Sequence, residues 1–164
     1  IIAGPVDVDA YGMEVIHVKS ARDMLEAVRE NLLWADYVVK AAAVGDYRVK
    51  EIAPRKLKRE GKDTLTLELV QNPDISAEAG RLKRDGQVLV GFAAETDNIT
   101  ANAREKLARK NLDYILANDV TGKDSGFATD TNTLRLIPRD GEERIFTGLK
   151  EDIAFDIWSE LVAG

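Results

Sequence analysis

Lysines, carboxylates and small residues gather in this chain where strands and helices must begin or end. Tyr37, Val38 and Val39 form a short apolar run, the pattern of a strand buried on both faces. Through Lys40 it leads into Ala41, Ala42 and Ala43, then Gly45 and Asp46. Small side chains at the end of a buried strand let a ligand approach the main chain, and that carboxyl end is where open α/β sheets bind ligands. A charged tail follows, with Arg48, Lys50, Arg55, Lys56, Lys58 and Arg59, stiffened only by Pro54. Farther on, Asn72-Pro73-Asp74 opens a helix whose first-turn N–H groups, over Ile75, Ser76 and Ala77, make a ready anion site. Asp74 serves equally well as a plain cap. Lys106 and Lys110 stand one turn apart on one helix face, where two ammonium groups repel mildly unless an anion lies between them. The plainer account is that they favour the helix C-terminus electrostatically. These residue types support anion binding.

Composition sets bounds on the ligand. The chain has 164 residues, enough for a single domain with a proper core, and 45% of them are hydrophobic. Its net charge of −6 argues against nonspecific nucleic-acid binding, while leaving room for a nucleotide at a local basic cluster. No apolar run approaches the length that spans a bilayer, so no membrane is expected. There is no cysteine and no signal peptide, which makes a cytoplasmic setting the expectation. The lone histidine, His17, lies in a strand pattern, where it reads as a packed or rim residue rather than a base.

The elements that must position these groups follow in order. Residues 1–4 read as the end of a strand, 5–12 as a loop and 14–18 as a second strand. Ser20 caps a helix, with Asp23 three residues on as in a capping box, and Ala21, Met24, Leu25, Val28 and Leu32 keep the helical period. With the strand at 37–43, this predicts a parallel crossover. Residues 64–70 alternate strictly, Leu65, Leu67 and Leu69 against Thr64, Thr66 and Glu68. That is a half-exposed strand, either an antiparallel sheet edge or a subunit interface. The Asn72 helix runs to about Arg84. Residues 87–92 form a second buried strand, ending in Ala93 and Ala94. A helix over 98–110 faces the sheet with Ile99, Ala103 and Leu107, and residues 114–117 form a third buried strand ending at Asn118 and Asp119. A loop over 121–131 precedes a hairpin, 133–138 and 144–147, around Asp140-Gly141. A last helix, 149–162, buries Ile153, Ile157 and Leu161, with Ala154 and Trp158 beside them. Three strands that finish in small or polar residues at one edge predict a doubly wound sheet with a ligand crevice.

Five segments in this order carry a resemblance: AAAVGDYR (41–48), PRKLK (54–58), NPDI (72–75), VGFAAET (90–96) and REKLARKNLDYILAND (104–119). Together they resemble phosphopantothenoylcysteine synthetase, the phosphopantothenate–cysteine ligase of coenzyme A biosynthesis, over nearly the whole chain. The resemblance implies an α/β, Rossmann-like, doubly wound and mostly parallel sheet with an antiparallel hairpin or edge extension. It implies a bacterial type that uses CTP with Mg²⁺ to join 4′-phosphopantothenate and cysteine through an acyl cytidylate; the sequence offers no metal-ligand cluster, so the Mg²⁺ is expected chiefly on the triphosphate. It also implies a possible upstream fusion to a decarboxylase that would bring FMN, and the alternating 64–70 strand invites a homodimer. It places the nucleotide on Lys40, Ala41, Ala42, Asp46, Asp74, Ile75, Ser76, Ala77, Phe92, Lys106 and Lys110, and makes Lys56 the catalytic lysine that closes over the acyl cytidylate. Each residue suits its task. The alanines let base edges meet the main chain, Asp46 accepts from a ribose or base amine, and Phe92 offers an apolar face.

The resemblance also implies an earlier strand, Gly-rich turn and helix, and an Asn-Ser-Ser-Gly-like segment, that no residue here matches. Residues 1–164 are therefore read as a single domain of this kind, truncated at its N-terminus. Two other classes compete: an NAD(P)-dependent oxidoreductase of Rossmann type, and a noncatalytic nucleotide-binding or dimerisation module. Against the first, no G-x-G-x-x-G follows any strand.

Overall fold

The computed structural model describes residues 1–58, 63–95, 98–119 and 129–163. Arg59, Thr96 and most of the expected 121–131 loop lie outside them. The chain forms two compact units, residues 1–28 with 43–75, and residues 29–42 with 76–164.

In the first unit, β1 (Ile2–Ala3) pairs in parallel with β2 (Ile16–His17). Helix α1 (Ala21–Leu32) starts where the sequence places it. The Ser20 N–H donates to Asp23 Oδ2 at 3.0 Å and the Asp23 N–H to Ser20 Oγ at 3.2 Å, a reciprocal capping box. Those bonds, the Ser20 side chain first, hold the Asp23 carboxyl below its ordinary value. Val18, Met24, Leu25, Ala27 and Ile75 form this unit's core, with Ile2, Ile16, Val28 and Val44 packed on it. His17 is exposed.

The same unit holds an antiparallel ribbon of β4 (Tyr47–Val49) and β5 (Leu69–Gln71). Its β4 falls in the charged tail that reads as loop, because Arg48 and flanking charges mask a three-residue alternation. The strand expected over 64–70 is mostly unpaired: only Leu69 and Val70 belong to β5, since β4 is too short to pair with more. Leu65, Leu67 and Leu69 stay open to solvent at 68%, 54% and 54% exposure.

The second unit is built on a five-stranded sheet in the order β3-β6-β7-β8-β9. Strands β3 (Tyr37–Lys40), β6 (Val88–Glu95) and β7 (Tyr114–Asp119) are parallel. The hairpin of β8 (Thr131–Pro138) and β9 (Arg144–Leu149) extends the sheet antiparallel, turning through Gly141 at φ 109°. Four of the five strands thus share one direction, the expected mostly parallel sheet with a hairpin extension. Helix α3 (Ile99–Arg109) crosses from β6 to β7 and buries Ala103 and Leu107. Helix α4 (Lys150–Ala163) buries Ile153, Ile157 and Leu161 as the period predicts, each worth about 1.5–3 kcal/mol when fully covered.

Three expectations are corrected. Strand β2 pairs with β1 and β3 with β6, so the first strand–helix–strand segment does not make a direct parallel pair. Strand β3 is not buried on both faces; Tyr37 and Val39 are exposed, because among the described residues β3 has a strand neighbour on one side only. The Tyr37 ring instead meets Trp158 of α4 edge-on, centroids 5.3 Å apart, which is why Trp158 sits outside the core. Finally, β6 and β7 run on through Ala93, Ala94, Asn118 and Asp119 rather than stopping before them, since the ladder continues to the Glu95–Asp119 pair.

Candidate functional site

The first unit carries the Asp46 loop and the NPDI segment, and here the structure joins two motifs far apart in sequence. The Asn72 N–H donates to the Asp46 carbonyl at 2.7 Å, and Asn72 Nδ2 donates to the Gly45 carbonyl at 2.7 Å. Arg48 donates to the Gln71 carbonyl at 2.5 Å and to Asn72 Oδ1 at 3.2 Å. Asn72 therefore fastens the loop to the segment that leads into helix α2 (Ile75–Leu82). The Asp46 side chain and Asp74 both remain exposed. Ile75 is 4% exposed and belongs to the unit's core, so a ligand can use its main chain but not its side chain. Lys56 is exposed in a stretch without regular structure after β4.

In the second unit, α3 packs on β6 and β7, and α2 meets the end of α3. Helix α2 starts three residues later than expected and ends at Leu82, short of Arg84. A methyl group placed on Gly80 would stand 1.9 Å from the Lys110 carbonyl oxygen, so the two backbones touch there. Asn111, in the left-handed region at φ 52°, closes α3 and donates through Nδ2 to the Gly80 carbonyl at 2.8 Å. Its Oδ1 accepts from Arg139 at 2.7 Å, and the same guanidinium donates to the Leu112 carbonyl at 2.6 Å. Both helices end at the edge where the strands begin. One turn back from Gly80 are Ser76 and Ala77, and one turn back from Lys110 is Lys106. Of the two half-buried lysines, Lys106 is thus level with the first turn of α2 and Lys110 with Gly80, one turn farther on. Ser76 is buried, which again leaves the main chain as the contact surface.

Electrostatics favour an anion at this place. Glu78, in the first turn of α2, would repel one, but its carboxylate accepts from Arg81 Nε at 2.9 Å, from Arg81 NH2 at 2.8 Å and from Arg29 at 2.8 Å. The Arg81 bonds first, then Arg29, hold Glu78 down at about 2, and the Arg81 guanidinium is raised in turn. Its charge is cancelled locally, while the N-terminal end of α2 keeps its positive dipole.

The carboxyl edge of the sheet holds the remaining candidates. Lys40 pairs with Gly91 at the end of β3, and Ala41 and Ala42 follow it, exposed. At Gly91 a methyl group would come 2.7 Å from the end of the Leu112 side chain, which would have to shift to admit it. Phe92 pairs with Leu116, which lies in the core under α4 with Val90, Leu134 and Leu136. Phe92 therefore points to the α4 face and is 38% exposed. The predicted residues of this unit do not share one face: Phe92 lies on the α4 face, Lys40, in register with Gly91, lies on the opposite face, and Ser76, Ala77, Lys106 and Lys110 belong to α2 and the end of α3.

Sequence reasoning missed Asn72, Gly80 and Asn111 as fasteners, and Glu78 with its arginines. A glycine inside a helical pattern is a recognised sign of close packing, and an asparagine just past a helix end of a left-handed cap. Those signals were present at Gly80 and Asn111. Nothing local marks the Arg29–Glu78 pair.

Residues 1–163 match the family model of the DNA/pantothenate metabolism flavoprotein C-terminal domain. The chain is 44% identical over 166 residues to the coenzyme A biosynthesis bifunctional protein CoaBC of Bacillus subtilis, and 38% identical over 165 residues to that of Escherichia coli K12. Each alignment covers 99% of this chain, but 40% and 41% of those relatives, so the chain spans about two fifths of their length. Among solved structures, the C-terminal domain of a bifunctional CoaBC superposes with TM-score 0.78 at 32% identity, covering 98% of this chain and 70% of that one. A Cab2 variant in complex with phosphopantothenate-cysteine shares the fold, at TM-score 0.67 and 16% identity, covering 91% of this chain and 51% of that one. The chain belongs to the DNA/pantothenate metabolism flavoprotein C-terminal domain family.

Proposed function

We propose that this chain is the phosphopantothenate–cysteine ligase part of a coenzyme A biosynthesis protein, and that it activates its substrate with CTP. The observation that carries this reading is the family match over residues 1–163, together with relatives named for coenzyme A biosynthesis at 38–44% identity. The anion-friendly first turn of α2 beside Lys106 and Lys110, and the exposed main chain at Ala41 and Ala42, support a nucleotide.

A carboxylate is a poor acyl donor at neutral pH. In the proposed reaction a phosphopantothenate carboxylate oxygen attacks the α-phosphorus of CTP. A P–O bond forms, the α–β bridge breaks and pyrophosphate leaves. The cysteine amine then attacks the carbonyl of the acyl cytidylate, a C–N bond forms, CMP leaves, and the amine gives up a proton. Both steps move negative charge, so the protein's part is positioning and cationic stabilisation. Main-chain groups of Ala41 and Ala42 hold the base, Asp46 accepts from it or from the ribose, and Phe92 gives an apolar face. The N–H groups of the Asp74–Ala77 turn, with Lys106 and Lys110, hold phosphates. Lys56, exposed on its irregular segment, folds over the acyl cytidylate. Among the described residues no group of three or more carboxylate or histidine side chains could hold a metal ion. A Mg²⁺ ion would therefore be held chiefly by the triphosphate, and no step here is assigned to it. FMN would belong to a decarboxylase fused upstream. The open leucines Leu65, Leu67 and Leu69 support a homodimer.

Pyrophosphate release by the full-length protein, measured with phosphopantothenate and either CTP or ATP, tests the reading. CTP is expected to give the higher kcat/KM. Equal values sink the CTP assignment, and no release with either sinks the ligase.

A further inference from the structure

We propose that Asn72 is a positioning residue of the nucleotide site, whose side-chain amide holds the Gly45–Asp46 loop so that the Asp46 carboxylate meets the nucleotide. The β4–β5 ribbon brings the two segments together: Tyr47 pairs with Gln71, which sets Asp46 opposite Asn72, one residue beyond the ribbon's last pair. The Asn72 N–H donates to the Asp46 carbonyl, as any residue but proline could. The side chain does what few others can. Its Nδ2 donates to the Gly45 carbonyl at 2.7 Å while its Oδ1 accepts from Arg48 at 3.2 Å. An amide carries a donor and an acceptor at once, whereas a carboxylate offers only acceptors and an alkyl group neither. Pro73 follows, and a residue before proline favours the extended region, which keeps Asn72 strand-like past the end of β5.

The loop has little else to hold it. Among the described residues, the hydrogen bonds that reach residues 43–46 are these two from Asn72, and Val44 adds an apolar contact with the core. Asp46 itself is exposed, so its carboxylate is placed by the main chain rather than by packing. Three residues after Asn72 comes Ile75, the buried first residue of α2. One side chain thus ties Asp46 to the opening of the helix assigned to phosphate. That assignment rests on the proposed ligase reading; the bridge does not.

Calorimetric titration of the full-length protein with CTP tests this through a double-mutant cycle of Asn72→Ala, Asp46→Ala and the two combined. Asn72→Ala is expected to weaken CTP binding roughly five- to thirtyfold, and by no more than Asp46→Ala does. In the Asp46→Ala background the same change should cost less than about twofold, because the group it positions is already gone. Asn72→Ser, too short to bridge both partners, takes its place in the cycle if Asn72→Ala does not fold. An equal loss in both backgrounds overturns the proposal, since Asn72 would then act on the fold or on some other contact, and unchanged affinity in the single variant overturns it too. Either result leaves the CTP assignment standing. Absence of CTP binding by the wild type sinks that assignment, and the inference with it.

Discussion

Lys106 and Lys110 have two possible employments, and their neighbours favour one. A lysine that merely complements a helix C-terminus needs no partner element, whereas Lys106 stands level with the opening turn of α2 and the main chain of Lys110 packs on Gly80, a junction held by Asn111. Lys106→Ala and Lys110→Ala should each weaken CTP binding by about 1–3 kcal/mol, with little change in unfolding midpoint. Titration calorimetry would show it, and an unchanged Kd in both variants would return them to the helix-dipole role. Lys56 is a different case. It lies on an exposed segment, remote in sequence from the groups assigned to phosphate, so Lys56→Gln should spare the first half-reaction and slow amide formation by about 10²–10³. Rapid-quench runs with and without cysteine would separate the steps. An equal slowing of both removes its special role.

Between elements, the tightest junction is α2 against the end of α3. Alanine is the better helix former by about 1 kcal/mol, so propensity alone says Gly80→Ala stabilises. The 1.9 Å approach to the Lys110 carbonyl says the reverse. Overpacking against main chain should dominate, with a loss of roughly 1–3 kcal/mol in denaturant unfolding; a gain in stability would mean the helices part easily. The ion pairs of Glu78 act at the same element. Because its carboxyl is held at about 2, below the ordinary 4.5, it contributes stability that is fully present above pH 4.5 and lost as pH falls toward 2. Glu78→Gln should therefore unfold more easily than wild type at pH 6 and match it near pH 2. Coincident acid-unfolding curves throughout would show that the arginines add nothing.

These contacts also mark where sequence stops being legible. Helices α1, α3 and α4 can be read because period and caps are local properties, and the hairpin because Asp140-Gly141 announces it. The small-residue edge at Ala41, Phe92 and Asn118 is likewise visible as a pattern. What cannot be read is which elements meet: Asn72 on Gly45, Arg29 on Glu78, and the uncovered side of β3 depend on the order of strands, which no window of residues contains. Apolar Tyr37-Val38-Val39 looks like an interior strand because composition does not report how many neighbours a strand has.

At the scale of the whole molecule, the carboxyl edge of one parallel sheet gathers Lys40, Phe92 and Asn118 from three strands, so the candidate site is a product of topology more than of any single motif. The order of those strands also has a kinetic side. From β6 to α4 every strand pairs with its successor in the chain, so these contacts close short loops. Strand β3 reaches β6 only after the Asp46 loop, the ribbon and α2 have intervened. Closing that longer loop carries a larger entropic penalty and places β3 late in assembly. Local opening should then begin where assembly finishes. Amide hydrogens of β3 that bond to β6 should exchange with deuterium well before those in the middle of β7, by hydrogen exchange under native conditions. Equal protection of the two strands would mean that the sheet opens as one body, and that the lysine and alanines leading out of β3 are anchored as firmly as the core.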